Sequence, residues 1–224
     1  MIHSWYLPCD FHFFILGIIV AMLLNKHKRI GFSLLVFLFI LSVIIPFALT
    51  VVYLRPALLQ FYPDALRAPK SHPDFRLTYT KSHTRAVPYI VGMFAGYIYY
   101  RLKNTTKNLS RISSHALTLG SFLLLFATVV TGSIFYDRYH EYNAIESGAY
   151  AGLHRVAWSI GTVGLLFSAS YGHATVLKSV LSWSPWIPLG KLVYGAYLIH
   201  MTFQLRSVAM STTPQYFTYF DVVS

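Results

Sequence analysis

The chain has 224 residues, 55% of them hydrophobic and only 11% charged, with 17% aromatic side chains. A soluble domain carries about twice that share of charge, so the composition points to a polytopic membrane protein. The net charge of +11 sits in short runs between apolar segments, as in loops beside a membrane, which excludes a nucleic-acid-binding surface. One cysteine, Cys9, rules out an internal disulfide. The ten histidines show no HExxH-like spacing, so no metal site is expected.

A membrane-crossing helix needs about 20 mostly apolar residues. On that criterion the chain reads as an all-α, polytopic transmembrane helical bundle of about six spans. Span 1 runs from about Trp5 to Leu24 and stops at the basic stretch Asn25-Lys26-His27-Lys28-Arg29. No basic run precedes it, so it does not read as a signal peptide. Span 2 covers about Ile30 to Tyr53, with a kink expected at Pro46. Span 3, about Pro88 to Tyr100, is short enough to be re-entrant or buried instead. Span 4 covers about Ala116 to Tyr136. Span 5, about Tyr150 to Tyr171, is rich in Gly and Ser, which favours close helix packing. Span 6 covers about Leu192 to Met210.

With the loop after span 1 placed in the cytosol, the cytosolic loops hold nine Lys and Arg residues and no acid, which predicts an outward N-terminus. Asn104-Thr105-Thr106 and Asn108-Leu109-Ser110 are glycosylation sequons in one of these loops. Glycan there would invert the orientation. An outer loop, about Leu54 to Val87, also carries six basic residues; its Phe61, Tyr62, Phe75 and Tyr79 suggest a folded cap.

Four stretches carry possible chemistry. Asp10 sits at the outer mouth of span 1, where a carboxylate can pair with a cation or orient a hydroxyl; a helix-dipole charge is the structural alternative. In the second stretch, Lys81 and Arg85 would share a face if helical and suit an anionic donor or acceptor; headgroup snorkelling is the alternative for Arg85. Gly92 and Gly96 below them form a small-xxx-small pair expected to admit a neighbouring helix. The third is His154-Arg155 with Trp158. His154 can serve as general base or proton relay, and Arg155 calls for a partner such as Asp10 or Glu146; a buried structural pair is the alternative. The last is Ser182 to His200, with Trp183, Pro185, Trp186 and Pro188. Its first half should be an interfacial elbow rather than helix interior. After Gly190 and Lys191 an apolar helix is expected, carrying Tyr194, Tyr197 and His200 round one side of a cavity. Together Asp10, Lys81, Arg85, His154 and Arg155 lie towards the outer side, which suggests a polar pocket opening outward.

These stretches, in this order, resemble the membrane acyltransferase 3 family and, within it, the invertebrate nose resistant to fluoxetine proteins. Trp5-Tyr6-Leu7 with Asp10, Lys81 and Arg85 before Pro88-Tyr89-Ile90-Val91-Gly92, and His154-Arg155 with Trp158, carry part of the likeness. Leu181-Ser182-Trp183 through Pro188-Leu189-Gly190-Lys191-Leu192-Val193-Tyr194-Gly195-Ala196-Tyr197-Leu198-Ile199-His200 is the most specific stretch. Met201 stands where the family pattern expects proline, and Ala169 to Ala174 replaces a more glycine-rich turn. The resemblance implies an enzyme of about ten spans that moves an acyl group from a donor such as acyl-CoA to a hydroxyl on a lipid, sugar or other small acceptor. It implies no bound cofactor, and membrane lipid, acyl donor and hydroxyl acceptor as partners, in the plasma membrane or an endomembrane. Asp10, His154 and His200 are then catalytic candidates. Lys81, Arg85, Tyr89, Arg155, Lys191 and Tyr194 are candidates for substrate binding. The family's acid–base histidine is expected upstream of Trp5, so the chain reads as the C-terminal six or so spans of a longer protein, partnered by upstream helices. A transporter or lipid-translocating protein, or a non-catalytic remnant binding partner helices, are the competing readings.

Overall fold

The computed structural model describes residues 6–58, 80–103, 109–137 and 139–210. The aromatic cap expected in the outer loop and the two sequon asparagines fall outside the described residues. All described regular structure is helical: α1 (Tyr6–Lys26), α2 (Lys28–Val52), a short 3-10 helix (Ser82–Thr84), α3 (Ala86–Leu102), α4 (Arg111–Ile134), α5 (Ala144–Tyr171), α6 (Thr175–Leu181) and α7 (Trp186–Met210).

Among the described residues α1, α2 and α4 are each long and apolar enough to cross a membrane, and α5 with α6 passes as a bent pair, broken by 103°. At 1.5 Å per residue the 21 residues of α1 span about 31 Å, the thickness of a hydrocarbon core. The apolar windows of α1, α2 and α4 are only 22, 22 and 17% buried in the chain. Side chains such as Phe11, Met22, Phe37 and Phe126 stand exposed, a surface that hydrocarbon covers. Helices also occupy the other two expected spans. The 17 residues of α3 are too few to cross unaided, as its short apolar run suggests, and α7 is diluted by Lys191, His200, Gln204 and Arg206.

The basic stretch after α1 is less a loop than two helix ends. Only His27 separates α1 from α2, with its N–H donated to Leu23 O at 2.7 Å. So tight a hairpin needs a glycine on the inside: a Cβ on Gly31 would stand 2.5 Å from Leu24 N. Pro46 lies inside α2 without ending it.

The chain divides into two compact units, Ser4–Lys178 and Ser179–Ser224. In the first, α5 is the central helix and packs on α2, α3 and α4. Asn143 caps its start, Oδ1 accepting from Ile145 N–H at 2.9 Å and Glu146 N–H at 3.3 Å. Gly148 and Gly152 lie against α2, where Cβ atoms would come within 2.6 Å of Val51 Cγ2 and 3.0 Å of Val43 O. Towards its other end Ser168 meets Thr118 Oγ1 at 2.5 Å and Ser114 O at 3.2 Å, a buried hydroxyl seam with α4. The Gly and Ser content of this segment thus does what it suggests. The glycines of α3 do not: a Cβ on Gly92 or Gly96 would meet nothing within 4 Å. The side of α3 that packs inward carries Ala86, Val87, Ile90 and Val91 instead.

In the second unit, Trp186 Nε1 donates to Val180 O at 2.7 Å and the Trp183 and Trp186 rings meet edge to face at 5.5 Å, which fixes the elbow. The helix then starts at Trp186, four residues before Gly190, and Pro188 is inside it. A proline fits there because first-turn N–H groups have no intrahelical acceptor to lose.

Candidate active site

Three of the candidate residues, Lys81, Arg85 and Arg155, meet at the 3-10 helix. Lys81 caps its start and Arg85 its end. The two cations therefore flank a turn and do not share one face of an α-helix, because the chain closes i to i+3 bonds here, with Thr84 N–H on Lys81 O at 3.2 Å and Arg85 N–H on Ser82 O at 2.9 Å. Lys81 is exposed, Arg85 half-buried and Thr84 buried.

Two helices hold this turn. From α5, Arg155 Nη1 donates to Thr84 O at 2.9 Å. From α1, the Cys9 thiol and the His12 ring both reach Ser82 Oγ, at 3.2 and 3.3 Å, and Cys9 Sγ donates to Thr80 O at 3.5 Å. Cys9 and His12, near the start of α1, and Arg155, midway along α5, thereby meet at the turn that leads into α3. Neither Glu146 nor Asp10, the acids expected beside Arg155, forms an ion pair with it. Glu146 faces His140 Nε2 at 3.4 Å, and Asp10 is exposed on α1 without an ion pair to a described residue.

Behind the turn lies a cavity of about 510 Å³ between α3, α4 and α5, lined by Pro88, Tyr136, Tyr150, His154, Arg155 and Trp158 among others. His154 and Trp158 share its wall, as their spacing predicts. The His154 ring stacks on Tyr150 at 4.9 Å and 3°. Its Nδ1 lies 2.6 Å from Tyr150 O. A carbonyl only accepts, so Nδ1 carries the hydrogen and Nε2 is the acceptor nitrogen. Arg85 is close enough for its charge, with that of Arg155, to act on this ring. The wall therefore offers one guanidinium, that of Arg155, beside one imidazole acceptor in a mostly apolar lining.

Tyr89 packs α3 on α1: it stacks on Phe13 at 5.2 Å, and its hydroxyl would stand 2.7 Å from a Cβ on Gly17. This ring holds two helices together, a use that an aromatic beside a basic cluster does not announce. Lys191, Tyr194 and His200 are on α7 in the second unit, Lys191 and Tyr194 exposed and His200 half-buried with Nδ1 2.5 Å from Tyr197 O. Cys9, Ser82 and Thr84 are residues the sequence reading passes over, and it sets His12 aside as outside the family's catalytic context. The one signal for Ser82 and Thr84 is the polar run Lys81 to Arg85 standing directly before an apolar helix.

His83, in the same turn and outside the spans, has its pKa lowered from 6.5 by partial burial and then by the Lys81 charge. Its NMR titration midpoint should fall below 6.5 and move upward in Lys81→Ala; a midpoint at or above 6.5 in the native chain contradicts this. Because the folded value is the lower one, the unfolded chain takes up the proton first. The turn is then weakened as pH falls through and below 6.5, and is indifferent to pH above it.

Residues 1–213 match the acyltransferase domain of the acyltransferase 3 class. The chain belongs to the acyltransferase 3 family. It is 26% identical over 217 residues to nose resistant to fluoxetine protein 6 of Caenorhabditis elegans, an alignment covering 88% of this chain and 25% of that protein. The chain thus spans about a quarter of the length of this relative. No solved structure matches it significantly. With apolar helices of crossing length, the acyltransferase 3 chain is a membrane protein, and all four stretches lie within the matched residues.

Proposed function

We propose that this membrane protein takes part in O-acyl transfer, moving an acyl group from a thioester donor of the acyl-CoA type to a hydroxyl on a lipid or other small acceptor. The observation that carries the reading is the pairing of guanidinium groups with a cavity. Arg155 lines it, Arg85 stands beside it, and His154 presents an acceptor nitrogen on its wall. An anionic donor head is held by the cations, with Lys81 at the exposed edge of the turn. The same guanidinium groups stabilise the negative charge that builds on the acyl oxygen when the hydroxyl attacks.

The test is a labelled-donor assay with the purified chain in lipid nanodiscs, reconstituted alone and together with the remainder of the longer relative it aligns with. Label from a radioactive long-chain acyl-CoA should appear as an alkali-labile ester on lipid or added alcohol. Passage of substrate across sealed vesicles with no covalent product in either preparation would instead support a translocating protein.

A further inference from the structure

The Tyr89 ring holds α1 and α3 together at Phe13 and Gly17, and beyond it the two helices draw apart. The gap is a groove of about 810 Å³, at the far end of both helices from the Ser82–Thr84 turn. Its lining changes character along its length. Val20, Leu24, Met93 and Gly96 make an apolar floor. Gly96 widens it, since even a Cβ there would meet nothing within 4 Å. From Gly17 to Asn25 α1 rises about 12 Å, enough to lay a stretch of hydrocarbon chain along this floor. Asn25, Lys28, Tyr100 and Arg101 make a polar mouth.

The mouth is short of negative charge. Lys28 and Arg101 are exposed and have no ion pair to a described residue. Lys26, Arg29 and Lys103 are close to them in the chain, with no acid between Asn25 and Gly31 or between Tyr97 and Lys103. α2 moreover starts on Lys28 and Arg29, with no acid in its first turn and no side chain capping it. Two cations at the positive end of a helix dipole oppose it. An anion at this place relieves that opposition and can accept from the N–H groups of the first turn.

We infer that this groove binds one anionic phospholipid. Its phosphate sits in the mouth between Lys28, Arg101 and the start of α2, and one acyl tail lies on Val20, Leu24 and Met93 beside Gly96. A basic pocket between membrane helices suits such a headgroup. Tyr97 and Tyr100, which also line the groove, are side chains favoured at headgroup depth. A second apolar helix would satisfy the floor and leave the cations unanswered, whereas a lipid of this charge answers both. The site is apart from the Arg155 cavity, and the inference does not rest on the acyl-transfer reading.

The test is native mass spectrometry of the chain released from nanodiscs of equal parts dioleoylphosphatidylglycerol and dioleoylphosphatidylcholine. The lipid that stays bound should be phosphatidylglycerol, enriched about 10-fold or more over the bilayer ratio, the scale that two cations near a membrane surface supply. Lys28→Gln combined with Arg101→Gln should return retention to the bilayer ratio. Lys26→Gln combined with Lys103→Gln removes the same charge from the same end but outside the lining, and should keep the enrichment. Gly96→Leu places its side chain in the open floor and should lower the amount of lipid bound. Retention of both lipids at the bilayer ratio by the native chain overturns the site, and retention of neither leaves the groove to a helix. Loss of enrichment in the Lys26 and Lys103 variant as full as in the Lys28 and Arg101 variant also overturns it, in favour of general surface attraction. Undiminished binding in Gly96→Leu overturns the place given to the tail.

Discussion

Arg155→Ala should reduce kcat/KM for acyl transfer by about 10- to 100-fold, the equivalent of the roughly 1.5–3 kcal/mol that a charged hydrogen bond contributes. Two effects coincide in this one side chain. Its Nη1 hydrogen bond at 2.9 Å fixes Thr84 O, and with it the short 3-10 helix that sets Lys81 and Arg85 apart. The same side chain lines the cavity, so its charge is lost just where donor and transition-state charge are to be held. Arg155→Lys keeps the charge but replaces a planar fork with a single compact donor group. It should fall between native and alanine, with the deficit mostly in KM if charge dominates and mostly in kcat if placement of the turn dominates. Initial rates at several donor concentrations separate these, and an Arg155→Ala protein as fast as the native one would remove Arg155 from the site.

The second large effect is expected in packing rather than chemistry. Gly152→Val should lower the stability of the folded chain by about 1–3 kcal/mol, the usual cost of overfilling a packed seam, seen as a lower midpoint of thermal unfolding in detergent. A Cβ at this position already stands 3.0 Å from Val43 O and 3.6 Å from Phe47 Cβ. The nearest contact is backbone, which cannot swing away, so the further methyl groups of valine must push α5 off α2. Because α5 also carries Arg155, activity should fall with stability. Gly92→Val is the matched control. Its Cβ would enter open space, and valine is no worse than glycine inside a helix, so that protein should unfold at or slightly above the native midpoint. Equal midpoints for Gly152→Val and the native chain would mean that α2 and α5 are not held at this seam.

Much of this was readable from the residues alone. Runs of apolar side chains mark α1, α2 and α4 directly, and the brevity of α3 shows in the short interval from Pro88 to Tyr100. Asp10, Arg85 and Arg155 stand out because charge in an apolar chain is costly and rare. What joins such residues is not in the pattern. Arg155 calls for a partner, and the Thr84 carbonyl that it reaches at 2.9 Å leaves no charged letter in the sequence. Ser82 and His12 are 70 positions apart, and no local periodicity links them. Gly92 and Gly96 have the spacing of a helix contact, yet spacing says only that backbones could approach, and here the neighbouring helix does not. The resemblance makes Tyr89 a substrate-binding candidate, and its partners, Phe13 and Gly17, come from a helix far back in the chain.

Everything proposed for the site depends on the turn at Ser82–Thr84 being held against α5 by Arg155. Amide hydrogen exchange of Thr84 and Arg85, whose N–H groups close the turn onto Lys81 O and Ser82 O, reads that directly in the native chain and in Arg155→Ala. The account predicts slow exchange in the native protein and a 10-fold or greater acceleration at both amides in the variant, with amides in the middle of α4 unchanged. Identical exchange at Thr84 and Arg85 in the two proteins would contradict it.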